Sequence, residues 1–465
     1  MIGVFLQYLL HTIKGIIKYM YYAFDHELTA KSVMKERLVW MLYIGIIFFL
    51  LYGVANHYAG LSAPHPSLNF DWEDKIPFIP EFIIPYMSSD IMFICAFLLP
   101  YTRLELRVLA ARVLFMIIVA VVLFTLFPLQ FAFEKPASTE SFSFLFGVLQ
   151  SDLPYNQAPS LHISFAIVLW YSMRNHLNIW WTKIVVATWI WLIVLSTLFV
   201  FQHHLIDLPT GAALGFCTLY FINAEKESIF TRSFTTPRSL KMGLYYLIAS
   251  AVFLILSVNV TSFSWVLFWL FLSLFLVSVI YAFGLNTLLA GKEAKASWWQ
   301  WLLFAPYFAG NYLSWQYYKR KLPLMQALKD NVYLGRYPSA KEYSVLEEQG
   351  ICLALNLATE QQVQKKGLEQ IRLPFLDQTI QSPESLHEGV QYIEAHKKDG
   401  VYVHCTLGLS RSVLLTSAWL LFNGYSLEEA QEEIAKIRPN AVKSPYMQIT
   451  LEIYQKYLDG LEELS

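Results

Sequence analysis

Long apolar runs dominate the first 290 residues, and short apolar runs separated by polar helical stretches make up the rest. A helix crossing a bilayer needs about 20 mostly apolar residues. Eight segments have that character, at about 38–55, 86–101, 106–129, 161–178, 183–202, 205–223, 242–260 and 263–285. Residues 1–28 mix apolar faces with His11, Lys14 and Lys18 and predict a helix lying at the interface, with a ninth, short span as the alternative. After the eighth span, "KASWWQWLLFAPYFAGNYLSWQYYKRK" is aromatic, broken by Pro306 and Gly310, and basic at both ends. That pattern predicts a segment lying along the membrane surface. If it crossed instead, the tail would lie outside.

From Asn331 the pattern changes. "GICLALNLA" and "GVYVHC" read as strands. "SPESLHEGVQYIEAHKK" starts a helix at Ser382 with Pro383 in first position, and Ser426 and Glu429 open another at capping-box spacing. Cys352 falls in an apolar strand run and reads as core. The predicted fold is a polytopic α-helical membrane bundle of about eight spans followed by a cytoplasmic α/β domain. The expected divisions are 1–30 (interfacial helix), 31–225 (six spans), 226–290 (two further spans), 291–330 (linker) and 331–465 (α/β domain).

Composition supports the two solvents. The chain of 465 residues is 56% hydrophobic and 15% charged, whereas soluble proteins carry about 25% charge. From Asn331 onward 12 Lys+Arg face 18 Asp+Glu, a balance of −6; the whole chain is −1, so the part before it is +5. An acidic tail makes nucleic acid an unsuitable partner. Four cysteines show no paired framework, which predicts free thiols and a reduced compartment for the tail. The N-terminus lacks the pattern of a cleaved leader and reads as retained.

Lys31, Lys35 and Arg37 precede the first span, Arg103, Arg107 and Arg112 follow the second, Arg174 and Lys183 flank the turn after the fourth, and Lys226, Arg232, Arg238 and Lys241 follow the sixth. All fall on one side if the N-terminus is cytoplasmic, and the opposite loops, 56–85 and 130–160, are poor in Lys and Arg.

"HCTLGLSRS" joins the strand ending at His404 to an apolar helix beginning at Ser412. The backbone N–H groups of Thr406, Leu407, Gly408, Leu409 and Ser410, with the helix N-terminus, make an anion site. The same field favours a thiolate at Cys405. Arg411 can grip two phosphoryl oxygens, and Ser412 can donate to the sulfur. Cys405 would attack phosphorus, and Asp377 in "LPFLDQT" is the candidate to protonate the leaving oxygen. The alternative for Asp377 is a solvated loop acid, and for Cys405 a structural thiol. Over about 331–460, Cys-x5-Arg followed by Ser, the preceding strand and His404, and "VYLGRYP" resemble a dual-specificity member of the protein tyrosine phosphatase superfamily. The resemblance implies Cys405 as nucleophile, Arg411 as phosphate ligand and Asp377 as general acid.

Titratable groups beside spans are costly and suggest function. His162 in "QAPSLHISF" and His203 and Asp207 in "FQHHLIDLPTG" fall on one side of the expected topology, and a helical turn would put His203 and Asp207 on one face. His203 could attack phosphorus while His162 protonates the leaving oxygen. Metal binding by His162, His203, His204 and Asp207 is the rival, and interface histidines without chemistry the plainer reading. Over about 30–225 the pattern resembles the type 2 phosphatidic acid phosphatase superfamily. Pro159, Ser160 and His162 fit its Pro-Ser-x-His segment, with Leu161 where Gly is usual, and Ser196, His203 and Asp207 keep the last motif's spacing, with Thr197 in place of arginine. No Lys-x6-Arg-Pro is present, and Lys135, followed by Pro136, is the candidate for the lost positive charge. These departures, with "DWEDKIPFIPEFIIPY", look more like the inositol phosphorylceramide and sphingomyelin synthase branch, which leaves hydrolysis and headgroup transfer both open.

The two halves together resemble a bacterial type of inner-membrane protein that joins the two. The expected protein is a two-site phosphatase acting on membrane lipids, needing no cofactor or metal. One site faces outward and uses His203; the other is cytoplasmic, uses Cys405, and takes a phospholipid headgroup or a phosphoprotein. The alternatives are a headgroup transferase with the tail as regulator, and a membrane-anchored phosphatase with an inactive bundle.

Overall fold

The computed structural model describes residues 31–134, 142–149, 152–223, 236–289, 297–361 and 368–462. The expected helix at 1–28, Lys135, Lys226 and Arg232 lie outside them. The chain divides into two units, Met1–Arg232 and Ser233–Ser465.

In the first unit the helices are α1 (Lys31–Leu61), α2 (Ile83–Leu98), α3 (Arg103–Leu126), α4 (Ser143–Leu149), α5 (Leu161–Met173), α6 (Trp180–Phe199) and α7 (Asp207–Phe221). Their outward faces are apolar: Phe49, Trp191 and Phe216 are all largely exposed, as side chains facing lipid would be. α3 begins with a capping box between Thr102 and Glu105. Behind that cap Arg103 is buried and donates from Nε to Glu36 at 2.7 Å, so one of the basic residues used to orient the spans is consumed inside the unit. α5 and α7 cross closely at Gly211, where an added Cβ would lie 2.4 Å from the carbonyl oxygen of Ser160. Ser164 Oγ seals that crossing by donating to Gly211 O at 2.8 Å, the small-residue packing that lets apolar helices approach.

The second unit begins with α8 (Pro237–Asn259), α9 (Ser264–Phe283), α10 (Asn286–Leu289) and α11 (Trp298–Tyr318). All eight segments read as spans contain helix. Among the described residues six helices are long and apolar enough to cross a membrane, against the eight expected; α5, at 13 residues, and α7, at 15, are shorter. The expected interruption at Pro306 and Gly310 does not occur, because α11 runs through both. Proline removes the hydrogen bond to the carbonyl four residues earlier, here Leu302. That carbonyl instead accepts from the indole Nε1 of Trp269 at 2.7 Å, so α9 supplies the missing donor.

The α/β part follows: β1 (Met325–Lys329), β2 (Val332–Arg336), α12 (Glu342–Glu348), β3 (Leu353–Ala358), β4 (Glu369–Phe375), α13 (Pro383–His396), β5 (Val401–Cys405), α14 (Arg411–Phe422), α15 (Leu427–Ile437) and α16 (Pro445–Glu462). The sheet order is β1-β2-β5-β3-β4, with β2, β5, β3 and β4 mutually parallel and β1 antiparallel at the edge. The central strand β5 is buried along its whole length, as a parallel strand covered on both faces should be. Ser382 caps α13 and the Ser426–Glu429 box caps α15, as expected. Cys352 is not core: it sits just before β3 and is exposed, because the strand begins one residue later. Open parallel sheets bind ligands beyond the carboxyl ends of their strands, and β5 ends at Cys405.

Candidate active sites

Immediately after β5 the chain turns through 406–410 into α14, so Cys405 and the helix N-terminus face one small volume. Gly408 makes the turn possible. Its φ is +70°, and an added Cβ would meet Gly335 C and O at 2.5 Å. The loop places the Gly408 N–H 3.3 Å and the Ser412 hydroxyl 3.6 Å from Cys405 Sγ. Burial would raise this thiol's pKa, but the Arg411 charge and the hydrogen bonds from Ser412 outweigh it, and the thiol lies below its ordinary value. Burial pushes His404, the residue before it, down to about 3, so its imidazole adds no charge beside the sulfur.

The outer part of the loop is fixed from three directions. Thr406 O accepts from Tyr337 N–H at 3.2 Å, and Leu409 O from Val442 N–H at 2.8 Å. Ser410 Oγ and the Tyr446 hydroxyl are 2.7 Å apart. Leu407 lies between these anchors, in the same turn.

Arg411 is fully buried against Glu360, with Nη2–Oε1 at 2.5 Å and Nη1–Oε2 at 2.9 Å. Glu360 also accepts from Thr406 Oγ1. Burial opposes ionisation of Glu360, yet the Arg411 charge and these donors hold it down at about 2. Asp377 Oδ1 is 3.3 Å from Arg411 Nε. Burial, offset by Arg411 and reinforced by Glu360, raises its pKa above the usual carboxylate value. The structure therefore brings Cys405, Arg411, Ser412 and Asp377 together. Glu360 was not anticipated: it lies 51 residues before Arg411 in a polar stretch, and no local signal marks it.

Residues 332–456 match the family described as dual specificity phosphatase, catalytic domain.

The phosphatase domain has curated relatives named phosphatidylglycerophosphatase and protein-tyrosine phosphatase 1. Those of mouse and rat are 36% identical over 103 residues, covering 21% of this chain and 53% of theirs. The human relative is 40% identical over 84 residues, covering 17% of this chain and 42% of its own. The chain thus spans about half the length of the curated relatives it matches, or less. The solved structure of PTPMT1 is similar over 30% of this chain and 99% of that one, at 26% identity and a TM-score of 0.28.

In the first unit a second set of groups meets at the mouth of α7. His203 Nδ1 lies 3.2 Å from Asp207 Oδ2. α7 begins at Asp207, after a turn in which Asp207 N–H donates to His204 O at 3.0 Å, and the Gln202 and His203 N–H groups both donate to Thr197 O. Asp207 is buried and also accepts from His204 N–H at 2.9 Å. The His162 ring, at the start of α5, is 5.9 Å from that of His203 and packs 4.4 Å from Tyr86. Ser160 is fully buried, with its hydroxyl unpartnered.

His204 faces elsewhere. Its Nε2 accepts from Ala132 N–H at 3.0 Å, which leaves Nδ1–H for Glu73 at 2.8 Å. Glu73, 131 residues before His204 in the chain, is a nearby carboxylate that ties loop 63–82 to the start of α7. Among the described residues no group of three or more His, Cys, Asp or Glu is arranged to hold a metal ion. His162 and His203 line a cavity of about 760 Å³ whose polar wall includes Tyr52, Asn56 and Asp152. Asn56 and Tyr52 both donate to the Asp152 carboxylate, at 2.7 and 3.0 Å.

Proposed function

We propose that the phosphatase domain hydrolyses a phosphomonoester borne by a membrane lipid, through a cysteinyl-phosphate. The observation that carries this is the Cys405 sulfur held between the Gly408 N–H and the Ser412 hydroxyl, beside an Arg411 clamped by Glu360. The Cys405 thiolate attacks phosphorus, the P–O bond to the alcohol breaks, and Asp377 gives its proton to the leaving oxygen. Asp377 then takes a proton from water, which attacks the phosphocysteine; the S–P bond breaks and inorganic phosphate leaves. The loop N–H groups and Arg411 stabilise the equatorial oxygens throughout. One fact favours a lipid over a phosphoprotein, the apolar helices in the same chain; the relatives' name carries both a phosphatidylglycerophosphatase and a protein-tyrosine phosphatase.

For the first unit we propose phosphoryl chemistry at His203. Asp207 accepts a hydrogen bond from its Nδ1–H, which leaves Nε2 to attack phosphorus. The P–O bond to the donor lipid's alcohol breaks as His162 protonates that oxygen. An acceptor alcohol, giving its proton to His162, then attacks phosphorus and breaks the N–P bond. No Lys or Arg is among the described residues lining that cavity. The departures from the phosphatidic acid phosphatase pattern at Leu161 and Thr197 favour transfer of a phospho-headgroup over phosphate release. The distribution of Lys and Arg supports placing the histidine site outward and the phosphatase domain in the cytoplasm.

Phosphate release from a panel of lipid phosphomonoesters and a phosphotyrosine peptide tests the first reading, with purified full-length chain in detergent. Cys405→Ser is expected to abolish release, and the lipids to be preferred over the peptide by more than tenfold. Peptide preference would overturn the lipid assignment. His203→Ala is expected to leave phosphate release intact while removing headgroup exchange between labelled phosphodiester lipids and a lipid alcohol. Exchange that survives it sinks the proposal for the bundle.

A further inference from the structure

The segment that carries Asp377 is held on both sides by helices that precede the phosphatase domain in the chain. Asn286, at the start of α10, donates from Nδ2 to Pro374 O at 2.8 Å. Arg238, in the first turn of α8, donates from Nη2 to Gln378 Oε1 at 2.7 Å and from Nε to Gln378 O at 3.3 Å. The two anchors bracket Asp377, three residues before it and one after.

Gln378 has a φ of +55°. A residue other than glycine is strained in this left-handed region and persists there only where its surroundings hold it. The paired bonds from Arg238, charge-assisted and directional, are such a restraint.

We propose that Arg238 and Asn286 are positioning residues for the general acid. The α8–α10 segment, which is no part of the matched phosphatase domain, fixes the backbone on either side of Asp377 and aims its carboxyl at the leaving oxygen. The helices before the domain are then part of its catalytic apparatus. The inference rests on the reading of Asp377 as the acid. A catalytic group displaced by 1 Å loses about 100-fold in rate, so two hydrogen-bonded anchors are enough to matter.

Leaving-group dependence tests this in the full-length chain. A p-nitrophenyl leaving group departs without a proton, whereas an alkyl oxygen needs one. Arg238→Ala is expected to lower kcat on the best alkyl phosphomonoester lipid about 10- to 100-fold, with KM within about twofold, and kcat on p-nitrophenyl phosphate less than about threefold. Asn286→Ala is expected to give the same split in smaller measure, and Arg238→Lys, which keeps one donor direction, to restore part of the loss.

Asp377→Asn is measured alongside. If it shows the split and Arg238→Ala does not, the positioning role is overturned. If Asp377→Asn shows no split, the assignment of the acid itself fails. Should Arg238→Ala not fold, Gln378→Ala removes the same side-chain contact from the other side while leaving α8 intact. An equal loss on both substrates in that variant counts against the proposal.

Discussion

Deep burial would ordinarily keep Cys405 protonated, and what reverses it is local and countable. Arg411 supplies the opposing charge, and Ser412 supplies hydrogen bonds to the sulfur. Glu360 neutralises much of Arg411 in return, yet it fixes both guanidinium nitrogens that face it and so keeps the fork from swinging. With Cys405 and Glu360 both anionic and a phosphate dianion arriving, an ionised Asp377 would be a further negative charge against one arginine. Its raised pKa removes that conflict and leaves it able to donate. The signs give a bell. Cys405 must be ionised, so kcat/KM on an alkyl phosphate rises with pH through the lowered thiol pKa. Asp377 must be protonated, so it falls as pH passes the raised carboxyl pKa. Asp377→Asn is expected to remove the alkaline fall and keep the acid-side rise, while lowering the maximum about 100-fold. An unchanged alkaline limb would assign the fall to another group.

At the scale of elements, the catalytic turn works because β5 and α14 are fixed by the core and the five residues between them, 406–410, have one way to close. Gly408 is where that constraint is tightest. Gly408→Ala combines a left-handed φ with a Cβ 2.5 Å from the Gly335 backbone, where no flexible side chain can yield. The expected cost is about 1–3 kcal/mol, read as a lowered Tm, together with loss of orthovanadate protection; an unshifted Tm with full protection would show that the turn has another route. This turn was legible in the sequence because it follows local rules: a strand, a glycine, small residues and a helix start. The caps at Ser382 and Ser426 were legible for the same reason. Glu360 and Glu73 were not, since each acts on a partner 51 or 131 residues away in the chain and only the folded packing joins them. The continuity of α11 through Pro306 was misread for a related reason. Proline's local rule predicts a break, and the compensating donor, Trp269, comes from another helix.

For the molecule as a whole, one chain holds two candidate phosphoryl-transfer centres built on different nucleophiles. A thiolate is open to alkylation and oxidation, and an imidazole paired with a carboxylate is far less so. That difference separates the two activities without separating the units. Cys217 and Cys352 are exposed and Cys95 is partly so, so the measurement needs a background in which all three are serine and Cys405 is the single thiol. In that background N-ethylmaleimide is expected to abolish phosphate release from lipid monoesters and leave headgroup exchange unchanged. Sidedness follows from the same reagent. With the phosphatase domain in the cytoplasm, a membrane-impermeant maleimide added to intact spheroplasts should spare Cys405, whereas the permeant one should inactivate it. Inactivation by both would put the phosphatase domain outside, and would mean that α11, with its ends rich in Lys and Arg, crosses the bilayer rather than lying along it.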